Sequence, residues 1–225
     1  DAIAPSSSRG PAADGRIKPD LAAVGTSVYS TIDSHTYGNK TGTSMSAPGV
    51  AGYFAVLHNA FDELQQDTAE AGLLKAIAMN TADDLGNPAP DFIYGYGRVN
   101  ARKALKVIQD TQFLSSSITT NDTLTYTISI PAGVNKFSAM LYWTDKEAST
   151  SASKALVNNL DFEVTDLTGA TTYQPWVLDP TPNTTTLLYG ATRGVDTLNN
   201  AEQVTLDAPN SGDYRFTVYG TNIPQ

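Results

Sequence analysis

Two periodicities divide this chain of 225 residues. Through the first 110 residues the apolar positions follow helical spacing wherever they are dense. Val50, Ala51, Phe54, Ala55, Val56, Leu57 and Phe61 leave little polar face, which predicts a helix buried on all sides rather than an amphipathic one. A second helix is expected to start with Asp67 or Thr68 as N-cap and Glu70 in its first turn, and to run through Leu73, Leu74, Ile77 and Ala78. A third opens at Asn100 and carries Ala104, Leu105 and Ile108, with the Gly, Pro and Asn of residues 86–90 as the intervening loop. Beyond residue 111 the period becomes two. Leu124, Tyr126, Ile128 and Ile130 alternate with polar residues, as do Leu160, Phe162 and Val164, and then Tyr214, Phe216 and Val218. Turn residues at 131–133, 168–169 and 209–212 separate these half-buried strands, so an all-β antiparallel sandwich is expected over 111–225, after a mixed α and β domain over 1–110.

Length agrees with two cores. Charged residues make up 16%, below the roughly 25% usual for soluble domains, and Ser, Thr and Asn supply the remaining polarity, a balance that suits an extracellular protein. A net charge of −9 argues against nucleic acid or an anionic membrane as partner. With no cysteine, disulfides and zinc–thiolate sites are excluded. No apolar run approaches the roughly 20 residues that span a bilayer. The chain starts at Asp1, without an initiator Met or a signal peptide, and is expected to be a piece of something longer.

The candidate chemistry centres on Gly42-Thr43-Ser44-Met45-Ser46-Ala47, followed by Pro48-Gly49-Val50-Ala51-Gly52. Here a serine stands between a Gly-Thr turn and a small-residue helix. At a helix start, free backbone N–H groups and the positive end of the helix dipole favour an oxyanion beside the hydroxyl, so the pattern suits acyl transfer. The bland alternative is an ordinary helix N-cap.

This segment resembles the one that carries the nucleophilic serine in subtilisin-like serine proteases. Its neighbours resemble that family in order: Ser7-Ser8-Arg9-Gly10-Pro11, then Ile17-Lys18-Pro19-Asp20-Leu21-Ala22-Ala23-Val24-Gly25, then Val28-Tyr29-Ser30-Thr31. Val24 departs, standing where the family usually has proline. Downstream, Leu74 to Ala82 and Gly95-Tyr96-Gly97-Arg98-Val99-Asn100-Ala101 are similar to the closing part of the catalytic domain. The second half also resembles a known module. Leu141-Tyr142-Trp143-Thr144-Asp145, Leu156-Val157-Asn158-Asn159-Leu160-Asp161 and Arg193-Gly194-Val195-Asp196-Thr197-Leu198-Asn199-Asn200-Ala201-Glu202 are similar to the C-terminal jelly-roll domain of one group of bacterial alkaline subtilases, akin to the P domain of kexin-like proteases. That group usually continues by one more strand beyond Thr221-Asn222-Ile223-Pro224.

The resemblance implies a secreted bacterial endopeptidase acting on polypeptides, with Ser44 as nucleophile, the Ser44 N–H as half of an oxyanion hole, and Thr41, Gly42 and Thr43 as a cleft wall. It also implies that the aspartate, the histidine and the oxyanion-hole asparagine precede Asp1. The partner of residues 1–110 is then the N-terminal half of their own catalytic domain, and the chain alone is expected to be inactive. The histidines present do not replace the missing base. His58 lies fourteen residues beyond Ser44 on one helix, about 21 Å away, and His35, in the preceding loop, breaks the family order of Asp, His, Ser. A pseudoprotease, or a β-sandwich module that binds protein or glycan, is the competing reading.

Oxygen-bearing side chains gather in the second half: Asn159, Asp161 and Glu163 alternate along a strand, Asp196, Asn199, Asn200 and Glu202 cluster in a loop, and Asp145 follows Trp143. Such ligands suit calcium, which takes six to eight oxygens, and jelly-roll domains of the subtilase group often carry it. Asp145, Asn159, Asp161, Asp196, Asn200 and Glu202 are the candidate ligands; no organic cofactor is expected. Ser151-Ala152-Ser153-Lys154 matches the S-x-x-K pattern of penicillin-recognising enzymes but lacks its partner motifs and reads as a solvated loop. The sequons at Asn39, Asn121 and Asn183 read as incidental in a bacterial protein.

Overall fold

The computed structural model describes residues 2–225, which form two compact units. The first comprises the chain up to Pro11 together with Ile17–Phe113, and the second comprises Ala12–Arg16 and Leu114–Gln225. The junction falls after Phe113 because its ring still packs on Phe61, at a centroid distance of 5.4 Å.

The first unit opens with extended segments and a hairpin, β1 (Val28–Ile32) paired antiparallel with β2 (Thr36–Lys40). Ser34 and His35 take φ of 61° and 58° at its tip, the left-handed geometry a tight hairpin turn requires. Three helices follow: α1 (Thr43–Gln65), α2 (Ala71–Asn80) and α3 (Ala101–Gln109). Asn100 caps α3 by accepting the Lys103 N–H at 3.0 Å, as its position predicts. The N-cap of α2 is Glu70, later than the expected Asp67 or Thr68; Asp67 Oδ1 instead accepts the adjacent Thr68 N–H.

Helix α1 corrects a second expectation. It buries one stripe, Tyr53, Leu57 and Phe61, spaced four residues apart, against Leu74, Ile77 and Ala78 of α2 and Ala104 and Ile108 of α3. The opposite side, with Ala51, Ala55 and Val56, is exposed, and Val56 retains 64% of its accessible surface. Helices α2 and α3 can cover only one side of a cylinder, so an almost wholly apolar helix is left half wrapped within this unit.

The loop between α2 and α3 is organised by Asp91, which is buried: Oδ1 accepts the N–H groups of Ile93 (2.8 Å) and Tyr94 (2.7 Å), and Oδ2 accepts that of Asn87 (3.1 Å). Close by, Asp83 pairs with Lys103 (2.8 Å) and Arg98 (3.3 Å) and accepts from Asn100 (2.9 Å), tying the end of α2 to the start of α3. These partners, Lys103 above all, hold its carboxyl down to about 2.

The second unit is antiparallel. β3 (Thr123–Ile130), β10 (Gly212–Asn222), β5 (Asn159–Asp166) and β6 (Thr171–Tyr173) make one sheet in that order. β4 (Lys136–Tyr142) pairs with β9 (Ala201–Asp207), and the short β7 (Trp176–Val177) with β8 (Thr192–Arg193). Leu160, Phe162 and Val164 of β5 and Tyr214, Phe216 and Val218 of β10 share a core with Ala139 of β4 and Val204 and Leu206 of β9. The alternation of apolar residues therefore maps directly onto the inner faces of β5 and β10. Arg193 lies over the Trp176 ring, 3.6 Å from its centroid, and donates to the Gln174 carbonyl (2.9 Å) and to the Thr205 carbonyl. Trp176 Nε1–H donates to Thr205 Oγ1 at 2.8 Å, which links the β7–β8 pair to β9.

Candidate functional site

Ser44 is the second residue of α1, so its backbone N–H is one of the groups at a helix start that have no intrahelical acceptor. Its side chain is exposed, and among the described residues its hydroxyl has no hydrogen-bond partner. Three contacts hold the turn around it. The Gly42 N–H donates to Gly25 O (2.8 Å), the Ser27 N–H donates to Thr41 Oγ1 (2.9 Å), and Ser46 Oγ donates to Ala23 O (3.2 Å). Gly42 itself sits at φ 155°, a conformation that L side chains rarely adopt, and so lets the chain turn sharply into the helix. The approach of the 23–25 segment depends on Gly25, where a Cβ would stand 2.2 Å from Ser46 Oγ and 2.7 Å from Gly42 O. Pro48, inside α1, has no N–H to give the Ser44 carbonyl four residues back. Thr41, Gly42, Thr43 and Ser44 thus form one short, pinned run on which Ser44 is exposed.

Neither histidine joins this run. His58 is exposed on α1, fourteen residues on, with Nδ1 3.2 Å from Asp62 Oδ2. His35 sits at the tip of the β1–β2 hairpin, with all of β2 between it and Thr41, about 17 Å of strand. Among the described residues, unit 1 thus presents an exposed serine hydroxyl at a helix start with neither histidine beside it.

The six carboxylate and amide candidates of the second half separate into two kinds. Asp145, Asp196 and Asn200 are spoken for. Asp145 Oδ2 accepts the Val157 N–H (2.7 Å), while its Oδ1 accepts the N–H groups of Lys146 (2.9 Å) and Asn158 (3.0 Å) and the Asn158 side-chain amide (2.9 Å). Asp196 Oδ1 accepts the N–H groups of Leu198 (2.7 Å) and Asn199 (2.9 Å), and Oδ2 the Asn199 amide (2.7 Å). Asn200 Nδ2 donates to Trp143 O at 2.7 Å. These residues lock loops together.

Asn159, Asp161 and Glu202 each keep a buried oxygen, respectively Oδ1, Oδ1 and Oε1, that receives no hydrogen bond. Glu202 is only 1% exposed, since it shares the inward face of β9 with Val204 and Leu206. β6 pairs only with Val164–Asp166, leaving the start of β5 unpaired on that side, and there Glu202 Oε2 accepts the Phe162 N–H at 2.8 Å. Burial, reinforced by the charges of Asp196 and Asp161, pushes the Glu202 carboxyl up to about 9. Among the described residues no three His, Cys, Asp or Glu side chains are grouped closely enough to hold a metal by themselves, so a cation here would also draw on amide or carbonyl oxygens. The buried, unpaired glutamate was illegible as such in sequence; its only signal is an acidic residue in phase with Val204 and Leu206.

Comparison with known proteins gives the first unit a context. Residues 1–97 match the model of the subtilase family. An extracellular serine protease of Serratia marcescens is 45% identical over 69 residues, 31% of this chain and 6% of that protein. The minor extracellular protease Vpr of Bacillus subtilis is 35% identical over 111 residues, 46% and 14% of the two chains, and a C5a peptidase of Streptococcus pyogenes is 36% identical over 106 residues, 44% and 9%. The matched segments cover 6% to 14% of the lengths of these relatives. No helix among the described residues is long and apolar enough to cross a membrane.

Proposed function

We propose that this chain is part of a secreted bacterial serine endopeptidase of the subtilisin-like type, in which Ser44 forms the acyl-enzyme. The observation that carries the reading is the exposed, unpartnered hydroxyl of Ser44 at the second position of α1, within the stretch that matches the subtilase family. The Ser44 Oγ adds to the scissile carbonyl carbon as its proton passes to a histidine supplied from upstream. The C–N bond then breaks as that proton moves to the leaving amine, and water cleaves the resulting ester. The Ser44 N–H and an upstream asparagine receive the oxyanion, and Thr41, Gly42 and Thr43 wall one side of the cleft.

The N-terminal half of the same catalytic domain is the partner that supplies the missing groups. The exposed apolar side of α1 supports this, because Gly49 and Gly52 have open space beside them and Val56 is 64% exposed, a surface on which neighbouring elements can seat closely. The second unit is read as the jelly-roll domain that accompanies such enzymes, a reading supported by the core that its four-stranded sheet shares with β4 and β9. The extracellular location follows the printed names of the relatives.

Peptide hydrolysis by a longer product carrying the upstream residues tests the proposal. The longer protein should cleave peptides, Ser44→Ala should lower its rate by about 10⁶-fold, and the 225-residue chain should be inactive. An active Ser44→Ala variant, or a longer product that has the upstream triad residues and cleaves nothing, would overturn it.

A further inference from the structure

Tyr29 of β1 and Tyr37 of β2 stack on one another in solvent, with ring centroids 5.9 Å apart and 24° between the ring planes. They retain 69% and 63% of their accessible surface, and neither belongs to a core cluster. In the hairpin register Tyr29 stands opposite Asn39 and Thr31 opposite Tyr37, so all four side chains share one face. The aliphatic residues take the other face. Val28 and Ile32 are half-buried there, and a Cβ at Gly38 would stand 2.9 Å from Ile32 Cδ1. The hairpin, which pairs with no other strand among the described residues, thus covers its aliphatic side chains and leaves two rings in water, between the exposed polar groups of Thr31 and Asn39. Its foot is also the Ser44 turn. β2 ends at Lys40 and passes through Thr41 and Gly42 into α1, and the contacts of Thr41 Oγ1 with the Ser27 N–H (2.9 Å) and of the Gly42 N–H with Gly25 O (2.8 Å) hold both at once. At about 3.4 Å per residue, Tyr29, level with Asn39, lies about 7 Å up the strand from Thr41, and Tyr37 about 14 Å. An extended polypeptide with its scissile bond at Ser44 covers that span by its third or fourth residue on one side of the bond.

We propose that Tyr29 and Tyr37 are specificity-determining residues for the reaction at Ser44, forming a platform that takes an aromatic side chain of the polypeptide substrate three or four residues from the scissile bond. The inference rests on the reading of Ser44 as the nucleophile. An open ring face or edge favours an offset or edge-to-face aromatic partner. Tyrosine also suits a surface that is covered only while substrate is bound, because its hydroxyl stays hydrated and its body is apolar. The aliphatic uncovered side of α1, with Ala51, Ala55 and Val56, has no such polar handle and suits permanent cover instead. The occupant of the tyrosine face is therefore the substrate, which must pass the Ser44 turn, and not the upstream half of the domain.

The experiment uses the longer product that carries the upstream residues, with two kinds of substrate. One is a blocked amino-acid ester, too short to reach the hairpin. The others are quenched peptides with tryptophan or serine at the third and fourth residues from the scissile bond, made for each side of it, with the cleavage point mapped by mass spectrometry. On one side kcat/KM should favour tryptophan over serine by about 3- to 10-fold. Tyr29→Thr and Tyr37→Thr, which keep a strand-forming residue, should each bring that preference towards unity, and Tyr37→Phe should restore it. Tyr189→Ser, which changes a tyrosine 62% exposed in the second unit, should keep the wild-type preference. A wild-type protein with no preference on either side, or a preference that survives both threonine variants, overturns the proposal. So does a parallel fall in ester and peptide hydrolysis with a lower thermal midpoint, the result expected if the upstream half covers the pair or if the pair only steadies the hairpin. Ester hydrolysis by the wild-type protein tells the two failures apart: with it the reading of Ser44 stands whatever becomes of the platform, and without it both fall.

Discussion

Replacing Leu57 by alanine should destabilise the helical unit and leave the β unit unaffected. Leu57 is 1% exposed in the middle of the α1 stripe and packs among residues of α2 and α3. Truncating such a leucine removes its transfer free energy and leaves a cavity, together costing about 2.5–5 kcal/mol. Its neighbour Val56 is 64% exposed, so Val56→Ser should cost less than about 0.5 kcal/mol in this chain. Two signals separate the units without dissection. All three helices belong to the first and both tryptophans to the second, so the far-ultraviolet helix signal follows one and tryptophan fluorescence the other during a urea titration. With a urea slope of about 2 kcal/mol per molar, Leu57→Ala should lower the helix-detected midpoint by about 1–2.5 M. The fluorescence midpoint should stay within error of wild type. Equal costs for Leu57→Ala and Val56→Ser would refute the one-sided packing of α1. A large cost of Val56→Ser seen only in a longer product would support the proposal that an upstream segment packs on this side of α1.

Other perturbations probe separate links. Because the folded carboxyl of Asp83 is held at about 2, below its ordinary 3.8, it contributes stability that is present above about pH 4 and lost as pH falls towards 2. The contribution is about 2 kcal/mol at most, reduced by the exposure of Lys103. The helix-detected urea midpoint of Asp83→Asn should accordingly lose most of its pH dependence in that window; an unchanged acid slope would contradict the ion-pair account. Gly25→Ala forces a Cβ against Gly42 O and Ser46 Oγ, and should destabilise unit 1 by about 1–3 kcal/mol, measured by the same titration. Arg193→Ala removes a stacked guanidinium and its two carbonyl contacts, and should cost the β unit about 2–3 kcal/mol with a shift in Trp176 emission. Ser44→Ala should leave both midpoints unchanged, since the hydroxyl holds nothing in place.

The parts of this fold legible in sequence are those where local pattern and final environment agree. The alternating Leu160, Phe162 and Val164 of β5 and Tyr214, Phe216 and Val218 of β10 are all buried in one core. Asn100 is a good N-cap in isolation and caps α3 in the structure. The failures have physical causes. Apolar density on α1 records how much surface that helix can bury, whereas its exposure records what unit 1 offers, and Ala51, Ala55 and Val56 have no cover there. β9 hides its period because Glu202 occupies an inward position beside Val204, an exchange of polarity that no alternation rule anticipates. The excursion of Ala12–Arg16 into the second unit has no pattern at all: Asp14 Oδ2 takes the Ala155 N–H at 3.0 Å, a contact 141 residues distant in sequence. At the candidate site, the position of Ser44 at the start of a helix was legible from the Gly-Thr turn before it and the small residues after it. The roles of Gly25 and Ser46 in bracing that turn emerge only from geometry.

The claim that Ser44 is a nucleophile activated from outside this chain is tested most directly by labelling with a fluorophosphonate probe, followed by mapping of the modified peptide. The account predicts that a longer product containing the upstream histidine and aspartate carries the label on Ser44, that Ser44→Ala abolishes it, and that the isolated chain stays unlabelled. Labelling at any other residue, or none on the longer protein with its upstream groups intact, would contradict it.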